Sequence, residues 1–207
     1  QEVMNFGNYY YAGGLAENLL DKKKYRIAEK YFVKSISHYP LDAMNYLNYS
    51  ALLVDTGRPD AALTYLEKAK SLSMTRKRQA QWFNNMGVAN FHLENHQETV
   101  KYLLKAVMLS PMKMEYRTNL GGAYTAKGNY EKGASVLEKA LQIAPDSISL
   151  RKNLALTYIE MKRPKDAINI LQEIPKDKWD NSGLQEVLEK AQKALLGSNG
   201  ESDERQP

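Results

Sequence analysis

The chain has 207 residues, enough for one or two ordinary domains, and its 43% hydrophobic and 26% charged residues are the proportions of a soluble folded protein. It has no Cys, which excludes disulfides, thiolate metal ligands and Cys nucleophiles and leaves the redox compartment open. The net charge of +5 is mild, and no apolar run approaches the ~18 residues needed to span a membrane.

The chain opens Gln1-Glu2, without the basic start and apolar core of a signal peptide, and a start other than Met predicts a fragment or a processed form. Residues 1–8 read as a lead-in. "NYYYAGGLAENLL", residues 8–20, predicts the first helix, with no polar capping helix before it. Either the short "QEVMNFG" segment covers that face, or a part of a longer parent does. Basic runs occur at Lys22–Lys24 and Arg76–Arg78. Both are expected in solvated turns between helices rather than as phosphate-binding patches.

Beyond that point the sequence repeats. "YFVKSISHYP", "YLLKAVMLSP" and "VLEKALQIAP" close at Pro40, Pro111 and Pro145, the last two 34 residues apart. "YLEKAKSLSM" is the same block without its proline, ending at Met74, 34 residues after Pro40 and 37 before Pro111. The units are roughly 9–42, 43–76, 80–113, 114–147 and 148–176, each with two stretches of 3.6-residue periodicity. The turns between them carry Gly57-Arg58-Pro59, Gly128-Asn129-Tyr130 and Lys162-Arg163-Pro164.

Two columns of the repeat are always small. They are Ala16, Ser50, Gly87, Gly121 and Ala155 in the first helix, and Ala28, Ala62, Thr99, Gly133 and Ala167 in the second. Each helix-interior Gly costs roughly 1 kcal/mol relative to Ala. Gly121 and Gly133 are therefore expected where two antiparallel helices cross closely. Large apolar columns flank them, among them Tyr49, Met86, Leu120 and Leu154, then Phe32, Leu66, Leu103, Leu137 and Leu171; Asn90 interrupts another.

Residues 177–197 break the repeat pattern. "SGLQEVLEKAQKALLG" places Leu184, Val187, Leu188, Ala191 and Leu195 on one helical face. Ser182 and Gln185 form a capping-box pattern, and Gly197 suits a helix stop. This predicts a capping helix followed by a disordered polar tail, residues 198–207.

"NLGGAYTAKGNYEKGASVLEKALQIAP", residues 119–145, resembles the tetratricopeptide repeat. That 34-residue pattern has Leu-Gly then Tyr in its first helix, Ala and Phe-like residues in its second, and Pro at the end. The resemblance covers about residues 9–176 and recurs five times. It implies an all-α fold, a right-handed α-α superhelix of antiparallel helix pairs whose concave wall is built by the first helix of each pair. It also implies a protein-interaction scaffold and no enzymatic activity.

Motifs for chemistry are absent. His92 and His96 lie four apart in "HLENH", but Glu94 is misplaced for HExxH, and the repeat register puts His96 on the next helix. Solvated turn histidines are expected, with no metal and no cofactor. There is no GxSxG, no GxxxxGK[ST] and no GxGxxG after a strand. The "NYS" sequon at 48–50 falls inside a predicted helix.

The inner wall carries the functional reading. The position before the crossing residue is Gly14, Asn48, Asn85, Asn119 and Asn153. Asn is a mediocre helix former, so four in register need a reason. One reading is a hydrogen bond to a neighbouring backbone group. The other, implied by the resemblance, is a ladder of amides holding the backbone of an extended polypeptide, since an amide both donates and accepts. The candidate groove residues are Asn48, Asn84, Asn85, Val88, Phe91, Asn119, Gly122, Lys152, Asn153 and Leu156. Val54 and Ile159 share the stripe but read equally as core between repeats. Gly122 points into the groove and reads either as a neutral Gly that Ala could replace or as a hollow, bordered by Val88, Phe91 and Leu156, for one bulky apolar side chain.

Family members that bind acidic chaperone C-termini carry a clamp of Lys, Arg and Asn. Here one frame gives Gly13, Glu17, Asn48, Gln81 and Asn85, and the next gives Leu47, Ala51, Asn85, Glu115 and Asn119. Neither supplies a cation, which argues against chaperone tails. The expected function is a non-enzymatic scaffold that binds a peptide or protein segment in its concave groove. The alternative is a docking or self-association domain of a larger protein whose catalytic or membrane part is absent from this chain. Nucleic-acid binding through Arg76–Arg78 stands last.

Overall fold

A computed structural model describes residues 22–179 and 183–203. The lead-in, the predicted first helix with Leu15 and Ala16, the capping residue Ser182 and residues 204–207 lie outside them. Among the described residues the chain is all helix, with no strand. None of these helices is long and apolar enough to cross a membrane.

The chain divides into two units, the first ending at Met112 and the second starting at Lys113. The first contains α1 (Lys22–His38), α2 (Ala43–Asp55), α3 (Pro59–Lys70), α4 (Arg76–His92) and α5 (His96–Leu109). The second contains α6 (Met114–Ala126), α7 (Tyr130–Ile143), α8 (Ile148–Glu160), α9 (Pro164–Gln172) and α10 (Leu184–Asp203). Within each unit, the helices pair as the repeat predicts: α2 with α3, α4 with α5, α6 with α7, α8 with α9.

The turns are set by local chemistry. Four first helices end in the same cap. Gly57, Glu94, Gly128 and Lys162 take left-handed φ values of 74°, 59°, 81° and 60°. At each, the N–H of that residue donates to the carbonyl three residues back, and the next N–H donates five back. Gly57 N–H reaches Val54 O at 2.9 Å and Arg58 N–H reaches Leu53 O at 2.8 Å. This pattern satisfies the orphan carbonyls of a helix end. Pro59 and Pro164 then open the next helix, where a missing N–H costs nothing.

The basic runs are not turns. Lys22–Lys24 and Arg76–Arg78 are the first turns of α1 and α4. At α4 the Thr75 hydroxyl accepts from Arg78 N–H at 3.4 Å and fixes the start. Arg78 also pairs with Asp42 at 3.1 Å, which offsets the misfit of a cation at a helix N-terminus.

The core follows the large columns. Tyr49, Met86, Phe32 and Leu66 are buried in the first unit; Leu120, Leu137, Leu154 and Leu171 in the second. Asn90 is buried too, and its amide is satisfied: Nδ2 donates to Met86 O at 2.8 Å and Oδ1 accepts from Asn95 at 3.2 Å. In the second unit, α10 lays Leu184, Val187 and Ala191 against a cluster containing Leu171 and Ile174. It continues six residues past Gly197 to Asp203. Gly197 does not take a left-handed φ, and a right-handed Gly interrupts a helix at a cost of only ~1 kcal/mol.

Candidate functional site

The crossing glycines show how the first helices sit on their partners. A Cβ on Gly87 would lie 2.6 Å from Leu103 Cγ, and one on Gly121 would lie 2.4 Å from Leu137 Cγ. A Cβ on Gly133 would lie 2.6 Å from the Thr125 hydroxyl and 3.0 Å from the backbone oxygen of Gly121. Gly122 differs, since its Cβ would meet only Asn153 Oδ1, at 3.4 Å. The side of α6 away from α7 therefore has room where the crossing side has none.

In the first unit the amide column is packed and bonded. Asn48, Asn84 and Asn85 are buried, with 5%, 4% and 7% of their surface exposed. Asn85 Nδ2 donates to Leu47 O at 2.9 Å and to the Ser50 hydroxyl at 3.3 Å. Its Oδ1 accepts from Asn84 at 3.5 Å. Asn48 Oδ1 accepts from Gln81 at 3.5 Å. Asn85 thus ties α4 to α2. Val88 is half-buried beside this network, and Phe91 is 39% exposed, with its ring edge-on to His92 at 5.9 Å. Leu47 and Val54, also read as inner-wall positions, are core.

In the second unit Asn119, Gly122, Lys152, Asn153 and Leu156 are all half-buried. Asn153 Nδ2 donates within its own helix, to Ser149 O at 2.9 Å. The Lys152 ammonium lies against the turn before α10, 2.9 Å from where Gly183 would carry a Cβ. Ile159 is core. Beneath the face, the Thr125 and Thr157 hydroxyls meet at 2.8 Å. His92 ends α4 and His96 opens α5, the separation the register predicted.

Electrostatics add residues that the amide column did not point to. Glu29 accepts from Arg58 at 2.8 and 3.1 Å and from the Tyr49 hydroxyl at 2.8 Å. The Arg58 hydrogen bonds, against some desolvation, hold its carboxyl below the usual range. Asp55, at the end of α2, has the opposite shift: desolvation pushes its carboxyl up, and nearby His92 opposes this only in part. The available signal was positional, because Asp55, His92, Ala126 and Glu160 each stand two residues before the left-handed cap residue.

A comparison with curated proteins finds no match. Solved structures resemble the chain at low identity. A thermophilic tetratricopeptide protein of Thermus thermophilus, TTC0263, matches with a TM-score of 0.73 at 18% identity, over 95% of this chain and 98% of that one. YrrB, described as a tetratricopeptide protein with an unusual peptide-binding site, matches with a TM-score of 0.60 at 18% identity, over 94% of this chain and 90% of its own. MamA matches with a TM-score of 0.58 at 19% identity, over 91% and 98%. At such identities the likeness is one of fold. One tetratricopeptide repeat family profile matches residues 14–77 and 97–148, and a second matches 124–191. With helix pairs, crossing glycines and repeat register in agreement, the chain belongs to the tetratricopeptide repeat family.

Proposed function

We propose that this scaffold binds an extended segment of another protein along the inward face of its first helices. The tetratricopeptide fold is in general a protein–protein interaction scaffold. The finer reading rests on Gly122: a costly helix-interior glycine whose Cβ would meet a single amide oxygen at 3.4 Å, where its crossing neighbours meet packed atoms below 3 Å. Val88 and Phe91 form the recognition face in the first unit, supported by the buried amides of Asn48, Asn84 and Asn85. Asn119, Lys152, Asn153 and Leu156 surround Gly122 in register in the second. That YrrB is described as having a peptide-binding site agrees with this reading.

The test uses random linear dodecapeptides displayed on phage and panned on the full chain. Selected peptides should lose roughly tenfold or more in affinity, about 1.4 kcal/mol, to Gly122→Leu or Phe91→Ala, with helicity unchanged. Peptides indifferent to both substitutions would place binding elsewhere and end this reading. A second reading, self-association, is favoured by the exposure of Leu41, Met108 and Met112 in the first unit, at 80%, 74% and 70%. Concentration-dependent sedimentation abolished by Met108→Glu would support it.

A further inference from the structure

The inward register of α2 and α4 pairs Asn48 with Asn85, Ala51 with Val88, and Asp55 with His92. Although the chain has 29 Lys and Arg residues, none falls on that register. Asp55 is its one carboxylate, and it is unpartnered: it has no hydrogen bond or ion pair among the described residues. The closest candidate in sequence, Arg58, is held by both oxygens of Glu29. Across from Asp55, on α1, the Tyr25 hydroxyl is also buried without a hydrogen-bond partner. Solvent reaches Asp55, yet its surroundings penalise its charge.

The second unit shows what such a carboxylate takes. Glu160 stands in the same column as Asp55, two residues before the left-handed cap residue. There α10 packs against α8 and supplies Lys190, whose ammonium meets Glu160 at 3.1 Å. Among the described residues α4 offers Asp55 only the His92 imidazole, which opposes the desolvation in part and makes no hydrogen bond or ion pair with it.

We propose that Asp55 receives a Lys or Arg side chain from the bound segment, as Glu160 receives Lys190, so that the first unit selects a cationic residue beside a bulky apolar one seated on Phe91. The inference rests on the peptide-binding reading and gives it a partner chemistry. A cation restores the compensation the carboxylate lacks, and an acidic partner is repelled by the one fixed charge on the face.

The same dodecapeptide library separates the two ideas. Peptides selected on the parent chain should share a Lys or Arg next to an aromatic or branched aliphatic residue. Asp55→Asn should weaken them at least tenfold, and a selection repeated on Asp55→Lys should enrich Asp or Glu at that place. Asp60→Asn, an exposed acid in the first turn of α3, should leave affinity unchanged. Peptides that need Phe91 but carry no cation, or that bind Asp55→Asn as well as the parent, overturn the inference and leave the groove standing. A library that yields only peptides indifferent to Phe91→Ala and Gly122→Leu, or none, overturns the groove itself and this inference with it.

Discussion

At the scale of single residues, three glycines of one repeat obey different rules. Gly121 faces the buried side chain of Leu137; Gly133 faces the Thr125 hydroxyl and the backbone oxygen of Gly121, which cannot move aside; Gly122 meets one amide oxygen at an ordinary contact distance. Added atoms in a packed crossing cost typically 1–3 kcal/mol, whereas an unobstructed Gly-to-Ala change in a helix gains up to about 1 kcal/mol. Gly133→Ala should therefore destabilise the protein by about 2 kcal/mol, and Gly122→Ala should stabilise it by up to about 1 kcal/mol. Urea unfolding midpoints of the two variants would check this, and equal shifts would refute the assignment of Gly133 to the crossing. The need for a small residue at Gly121 and Gly133 was legible from the repeat alone, since every unit keeps that column small. The ranking of the two was not, because it depends on whether the atom opposite is side chain or backbone.

At the scale of elements, caps and amides explain what was and was not legible. Gly57, Gly128, Pro59 and Pro164 announced their turns. Arg76–Arg78 misled, because charge suggested a loop while the Thr75 cap decided for helix. The four Asn residues looked equivalent in sequence. In the structure Asn85 reaches another helix, at Leu47 O, whereas the Asn153 amide turns back to Ser149 O in its own helix. A pattern of identical residues cannot reveal that difference, since it turns on which carbonyl each amide nitrogen faces. Its consequence is measurable. Asn85→Ala removes the tie between α2 and α4 and leaves a void, and should cost about 1 kcal/mol or more. Asn153→Ala exchanges a mediocre helix former for a good one at a half-buried site and should stay within about 0.5 kcal/mol of the parent. Equal losses in chemical denaturation would mean that Asn85 is not a tie. A binding assay on Asn85→Ala must be read with that loss of stability in mind, so Phe91 and Gly122 are the better probes of the groove.

At the scale of the whole molecule, the chain uses tyrosine where many cores use phenylalanine: 14 Tyr against 4 Phe. Three of these phenols tie stability to alkaline pH. Tyr116 is pushed up to about 12, first by burial and then by the neighbouring Glu115 carboxylate. Tyr49 is also pushed to about 12, by burial and then by its hydrogen bond to Glu29, and Tyr158 likewise by burial and then by Glu138. Tyr49 belongs to the first unit and the other two to the second. In the unfolded chain each phenol ionises near 10. A folded value above the unfolded one means that the native state holds its proton longer. The stabilisation is then complete below pH 10 and is lost as pH rises from about 10 through about 12. Unfolding midpoints should be insensitive to these groups from pH 7 to about 9 and should fall steeply above 10. Tyr116 has no hydrogen-bonded carboxylate in its shift, so Tyr116→Phe should keep its neutral stability and show a shallower alkaline decline. Tyr49→Phe should also decline less steeply, but from a lower neutral value, because Glu29 loses the phenol that donates to it at 2.8 Å. Each phenol's shift comes from its own neighbours, so the double variant should combine the two changes. An alkaline limb as steep in Tyr116→Phe as in the parent would show that its phenol is not held neutral by burial, and that the loss of stability above pH 10 has another source.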